Sequence, residues 1–361
     1  MTWHAHTRDR SWHCPPPDPA VIAFHRGLPG YAPTPLTDLP EVASALGVRR
    51  VLAKDESSRL GLPAFKALGA SYAVHRVLAA RAEIGAAGPA TLVTATDGNH
   101  GRAVARSARI LGQRARIWVP RGVHPVAIAA IRAEGAEVTE LDADYDEAVA
   151  AAAAVAATEP DTVLVQDMAW PGYEEIPGWI VEGYSTLGVE VDDQLATLGE
   201  RPPDLVLVPA GVGSLAQGIV AHYRSGGRAG GGRTRLVTVE PTSADCVRAS
   251  LVAGEPVSVQ TGETIMTGLN CGTVSAAAWP LLLAGLDAAA AVTDAEAASA
   301  QRELARLGVP SGPCGGAALA AVQLLLAGPD ATAARSHLAV TEDSVVVLLV
   351  TEGAEANPSG A

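Results

Sequence analysis

From residue 91 to residue 350 the chain alternates between short apolar runs and stretches with helical spacing. Runs rich in Val, Ile, Leu or Thr and bounded by turn residues predict strands at 91–95, 115–119, 136–141, 162–166, 204–209, 236–240 and 344–350. The 3.6-residue pattern predicts helices at 67–81, 101–111, 125–134, 145–157, 215–223, 294–307 and 315–326. Strands that are apolar on both faces, with a helix after most of them, specify an α/β protein with mostly parallel sheets covered by helices. A length of 361 residues with 48% hydrophobic and 18% charged side chains can fill two such lobes. Aromatics are 4% of the chain, so the core is expected to be built from Ala, Val and Leu.

The flanks read differently. Residues 1–40, rich in Pro and His, are expected to form an irregular arm wrapped on the body. The Gly-rich stretch 225–232 reads as a surface turn, and the tail EGAEANPSGA as a loop running to a frayed end. A net charge of -13 without a Lys/Arg cluster argues against a nucleic-acid partner. No apolar run approaches the ~20 residues of a membrane span, and the Ala/Val run at 148–157 is too short. The N-terminal residues show no apolar run of signal-peptide type. Four scattered cysteines without a CxxC pair indicate neither a zinc site nor a disulfide framework, and a reducing cytoplasm is the expected setting.

Four segments carry chemistry when taken together. Lys66 follows Phe65 at an apolar helix start, where desolvation is expected to lower its pKa and make it a nucleophile. A single lysine so placed more often snorkels to solvent. Thr96-Asp97-Gly98-Asn99-His100 follows a strand and opens a helix, which suits an anion or, more plainly, an N-capping turn. Gly211-Val212-Gly213-Ser214 is again strand, loop and helix. It is a phosphate cradle by mechanism, though without the lysine of a nucleotide P-loop. Thr351 ends the last strand with a hydroxyl.

These residues, with KDESSRLGLPAFKALGASYA (54–73), ATDGNHGRAVA (95–105), VQDMAWPGYEEIPGWIVEGY (165–184), ETIMTGLNCG (263–272) and the terminal LLVTEG, give the chain a family resemblance. It resembles fold type II pyridoxal-phosphate enzymes, and within them the diaminopropionate ammonia-lyases, from about Tyr31 to Asn357. The resemblance implies a two-lobed α/β enzyme with pyridoxal 5'-phosphate in the cleft, a large lobe of residues 1–92 and 191–361 and a small lobe of residues 93–190. It also implies a homodimer acting on a small amino acid.

Position by position, Lys66 would hold the cofactor and shuttle protons, with Phe65 beside it. Asn99 would contact the cofactor's phenolic oxygen, Gly211, Val212, Gly213 and Ser214 its phosphate, and Thr351 its pyridine nitrogen. Asp97 and Asp167 would act on the substrate as acid–base groups, with Thr96, Gly98 and His100 helping to bind it. Threonine and serine dehydratases share the lysine and GNHG themes but carry Ser in place of Asp97 and lack the 165–184 block. Ser311-Gly312-Pro313-Cys314-Gly315-Gly316 departs from the pattern toward the serine dehydratases, and HCPPPDP matches no motif of the family. A dehydratase or β-replacement synthase on this scaffold, or a non-catalytic binding relative, therefore stays open. Cys246 and Cys271 lie in well-matched segments that could approach each other near the site, and are expected as buried free thiols.

Overall fold

The computed structural model describes residues 2–86, 88–226 and 232–356. Eleven strands are seen among them: β1 Trp3–Ala5, β2 Leu36–Asp38, β3 Arg50–Asp55, β4 Thr91–Ala95, β5 Arg114–Val119, β6 Glu137–Glu140, β7 Thr162–Leu164, β8 Leu205–Pro209, β9 Arg235–Pro241, β10 Ala288–Val292 and β11 Val345–Val350. They form a seven-stranded sheet of order β1-β10-β9-β8-β11-β3-β2 and a four-stranded sheet of order β6-β5-β4-β7. The small sheet is wholly parallel. In the large sheet only the edge strands β1 and β2 run antiparallel to their neighbours.

The strand sequences explain this. VVVLLV of β11 and LVLVP of β8 are buried at every position, as strands covered on both faces must be. Val346 pairs with Val51 on one side and Leu205 on the other. That register brings the carboxyl ends of β8 and β11 to the same edge of the sheet, where open α/β sheets bind ligands. Helix Pro313–Ala327, apolar almost all round, is buried against the large sheet.

Three features depart from expectation. The first 40 residues are not an irregular arm: β1 adds to β10, a helix spans Ala20–Gly27, and β2 pairs with β3. Strands of three residues are too short to show a period, so they could not be read from the sequence. β10 is AAAAV, which becomes a strand because β9 and β1 flank it and not through any preference of alanine. The longest helix, Glu175–Thr197, packs on helix Lys66–Glu83 through a near-contact of backbones. A Cβ at Gly183 would stand 2.7 Å from the Leu68 carbonyl oxygen. Residues 227–231 of the Gly-rich stretch, and the tail beyond 356, lie outside the described residues.

A buried ion network fastens the loop that leads to Lys66. Glu190 accepts from Lys54 Nζ at 2.6 Å and from Arg59 Nη1 at 2.6 Å. Arg59 also bonds Glu56 at 2.7 Å and the Thr34 hydroxyl at 2.9 Å. The four charged side chains are at most 2% exposed. Burial tends to raise the Glu190 carboxyl, but Arg59 and Lys54 outweigh it and bring it down to about 2.

Candidate active site

Lys66 opens its helix directly after an inter-segment clamp. Phe65 N–H donates to the Thr351 carbonyl at 3.1 Å, and Ala64 bridges to Glu352. The lysine is thereby tied to the end of β11. Its Nζ faces a cavity of about 630 Å³ lined by Phe65, Lys66, Thr96, Asp97, His100, Asp167, the loop Gly211–Ser214 and Thr351. A volume of this size is within the usual range for small-molecule sites.

Each sheet contributes through its strand ends. At the end of β4, the Thr96 hydroxyl accepts from the Gly98 and Gly101 amides at 2.9 and 3.0 Å and so ties down the turn that opens helix Asn99–Ile110. Gly98, at φ 152° and ψ -79°, adopts a backbone closed to other residues. At the end of β8, Gly213 sits at φ 97° and ends the turn before helix Ser214–Tyr223. No side chain caps that helix, so its first amides are left for an anion.

The charges are concentrated on Lys66. Its Nζ lies 2.5 Å from Asp167 Oδ2. Burial presses the Lys66 pKa down, but Asp167, Tyr184 and Asp97 outweigh it and carry it well above the ordinary value. The lowered pKa expected from the helix start is thus corrected: desolvation is present, but an ion pair across the cavity reverses its effect. Asp167 is held below the carboxylate range, since His100 and Lys66 overcome the upward push of burial. Asp97 shifts the opposite way, raised by desolvation and by Asp167 despite Lys66. Two aspartates on one cavity thus differ in proton affinity, the arrangement that separates an acid from a base. His100 Nε2 bonds the Val165 carbonyl at 2.7 Å and its Nδ1 lies 3.6 Å from Asp167.

Asn99 and Gly98 do not line this cavity. They line an adjoining cleft of about 480 Å³ with Arg102 and Ala354–Ala356, and Asn99 Nδ2 donates to Glu352 at 3.1 Å. Tyr145 and Tyr184 line the cavity without having been singled out. Tyr184 packs on Phe65 at 4.9 Å between ring centroids, and the Tyr145 hydroxyl accepts from Gln166 Nε2 at 2.8 Å. Tyr184 stands inside the 165–184 block and could have been read there, whereas no motif marks Tyr145. Cys246 and Cys271 are free thiols beside Gly211. The Cys246 thiol donates to the Gly211 carbonyl at 3.7 Å, and a Cβ at Gly211 would meet Cys271 Sγ at 2.8 Å.

A buried lysine lining one cavity with an uncapped helix N-terminus, in a cleft formed at the carboxyl ends of the parallel strands of two sheets, defines a class. The chain belongs to the family of pyridoxal-phosphate dependent enzymes, whose profile matches residues 28–352, and within it to the diaminopropionate ammonia-lyases. The Salmonella typhimurium diaminopropionate ammonia-lyase is 42% identical over 282 residues, which cover 73% of this chain and 69% of that protein. The crystal structure of the Escherichia coli diaminopropionate ammonia-lyase with an aminoacrylate–pyridoxal phosphate azomethine intermediate superposes with a TM-score of 0.87 at 33% identity, covering 98% of this chain and 94% of that one. The same enzyme in complex with D-serine gives 0.86 at 32% identity, with coverage of 98% and 94%.

The residues fit the cofactor. The uncapped amides of helix Ser214–Tyr223 suit its phosphate, Lys66 supplies the amine, and the cavity has room for the ring with a small amino acid beside it. Pyridoxal phosphate is the cofactor of this enzyme class.

Proposed function

We propose that this protein eliminates ammonia from 2,3-diaminopropionate, giving pyruvate and a second ammonia with the uptake of one water. One observation carries the reading: Lys66, Asp97 and Asp167 line the cavity that the Gly211–Ser214 loop also lines. When bound, the cofactor supplies the electron sink that makes the Cα proton acidic.

The chain's own residues do the rest. Gly211, Val212, Gly213 and Ser214 hold the phosphate, and Thr351 offers a neutral hydroxyl to the pyridine nitrogen. Lys66 holds the cofactor through Nζ, and the same amine, once free, takes the Cα proton of an L-substrate. Asp97 serves that role for the D-isomer. A β-amine must leave protonated, so an acid is needed beside it, and the raised proton affinity of Asp97 favours that duty as well. The two carboxylates pair with a β-ammonium, as a serine in place of Asp97 could not. Thr96 and His100 shape the substrate side.

The lobe division at 1–92 with 191–361 against 93–190, a homodimeric assembly and a cytoplasmic setting belong to the same reading. They are supported by the family resemblance. The test is a substrate screen. Purified protein is incubated with both enantiomers of diaminopropionate, serine and threonine, and 2-oxo acid formation is followed. Faster turnover of serine or threonine would replace this reading with a dehydratase.

A further inference from the structure

Gln166 precedes Asp167 and is fully buried. Its amide is fixed at both ends. The Ala95 N–H and the Thr94 hydroxyl donate to Oε1 at 3.0 and 2.7 Å. A backbone N–H only donates, so that end of the amide is the carbonyl. The other end is Nε2, which donates to the Tyr145 hydroxyl oxygen at 2.8 Å and stands 3.5 Å from Asp167 Oδ1. The backbone on both sides is pinned as well. The Gln166 N–H donates to the Tyr173 hydroxyl at 2.8 Å. Tyr145 opens helix Tyr145–Thr158 directly after Asp144, whose carboxylate accepts from the Glu147 N–H at 2.9 Å.

This relay sets the direction of the Tyr145 hydroxyl. Its oxygen accepts from Gln166, so its one proton points elsewhere. Among the described residues none accepts that proton, and Tyr145 lines the same cavity as Lys66, Asp97 and Asp167. Burial first, then the charges of Asp167 and Asp97, carry the Tyr145 pKa well above the ordinary value. The hydroxyl therefore stays a neutral donor. A diaminopropionate with both nitrogens protonated brings only one acceptor into the cavity, its carboxylate.

We propose that the Tyr145 hydroxyl donates a hydrogen bond to the substrate carboxylate, and that Gln166 is the positioning residue that makes it a donor. This rests on the reading of the cavity as the substrate site. The two ends of a small amino acid then meet different partners: Asp97 and Asp167 accept from the β-ammonium, and Tyr145 donates to the carboxylate.

The experiment compares a ligand that has the carboxylate with one that lacks it. Holoenzyme is titrated with alanine and with ethylamine, and the visible absorbance is followed for wild type, Tyr145→Phe, Gln166→Glu and the double variant. Tyr145→Phe weakens alanine about 10- to 100-fold, the worth of a hydrogen bond to a charged group, and leaves ethylamine within about twofold. The Gln166→Glu side chain keeps the size but accepts at both oxygens, so it takes the Tyr145 hydrogen bond for itself. It brings a loss of the same order for alanine, and less than about a twofold further loss in the Tyr145→Phe background. Gln166→Met removes the donor without adding charge and provides the cycle should Gln166→Glu not fold. Equal losses on alanine and ethylamine, no loss on either, or a Gln166 effect undiminished in the Tyr145→Phe background overturns the proposal. Wild-type protein that turns over no diaminopropionate defeats the parent reading instead, and the alanine comparison still stands.

Discussion

The Lys66 ammonium and the Asp167 carboxylate meet at 2.5 Å, from segments 101 residues apart in the chain. The pair fixes Nζ in the cavity and keeps its proton tightly held. A cofactor carbonyl must therefore displace or share a partner that is already in place.

Asp167→Asn removes this partner. In cofactor-free protein the Lys66 pKa should fall, so that acylation of its amine begins at lower pH than in wild type. Peptide mapping of the labelled lysine across a pH series reads this directly. An unchanged labelling profile would show that Asp167 does not govern Nζ.

Lys66→Ala should abolish covalently held cofactor and lower turnover roughly 10³-fold or more, since in the proposed function the residue both holds the cofactor and moves a proton. Borohydride reduction followed by mass spectrometry checks the assignment. Labelling of another lysine in the wild-type protein refutes it.

Asp97→Asn keeps size and hydrogen bonding but removes the acid–base group. Turnover of D-diaminopropionate should fall about 10²-fold more than that of the L-isomer. Equal losses on both isomers would remove Asp97 as the base for the D-isomer and leave it only the duties the two isomers share, protonation of the β-amine or binding.

Glu190→Gln leaves Lys54 and Arg59 buried without their shared anion. Breaking such a pair from one side costs about 3–5 kcal/mol, so thermal unfolding should move down by several degrees. The wild-type network also has a pH signature. Glu190 has a folded pKa lowered to about 2, so its contribution is present above its unfolded pKa, about 4.3. It is lost as pH falls toward 2, and the variant should not show that loss. Denaturant unfolding at several pH values measures both.

His25 gives a second acid response. Its ring lies buried between Thr186 Oγ1 at 2.7 Å and the Leu68 carbonyl at 3.0 Å. Burial lowers its pKa to about 4, against opposing bonds and charges. Its neutral form is favoured by folding, so stability is full above pH ~6.5 and declines at about 1.4 kcal/mol per pH unit as pH falls toward 4. His25→Gln should flatten that slope in urea melts, and an identical slope would show that other groups carry it.

Much of this architecture was readable before any coordinates. The runs that became β4, β5, β8, β9 and β11 are short, branched and apolar, which is what a strand covered on both faces requires. Helix Glu175–Thr197 escaped notice for the converse reason. It is buried along much of its length, so no polar face marks a 3.6-residue period, and Pro177 and Gly178 stand in its first turn. β10 was hidden in alanine, a residue without strand preference, and was decided by its neighbours.

The sequence by itself determined the α/β alternation, the helix-start lysine, the glycine turns and the two aspartates. Each depends on residue type and spacing along a few turns of chain, and such local physics is written in the order of residues. Only the tertiary structure decided what those groups do to one another. It raised the pKa of Lys66 where desolvation alone would have lowered it, by bringing Asp167 to its amine. It paired Asn99, which lines a cleft apart from the Lys66 cavity, with Glu352, the residue after Thr351 in LLVTEG. Coulomb and hydrogen-bond energies depend on distances of a few ångströms in space, and the separation of two residues in the sequence does not contain them.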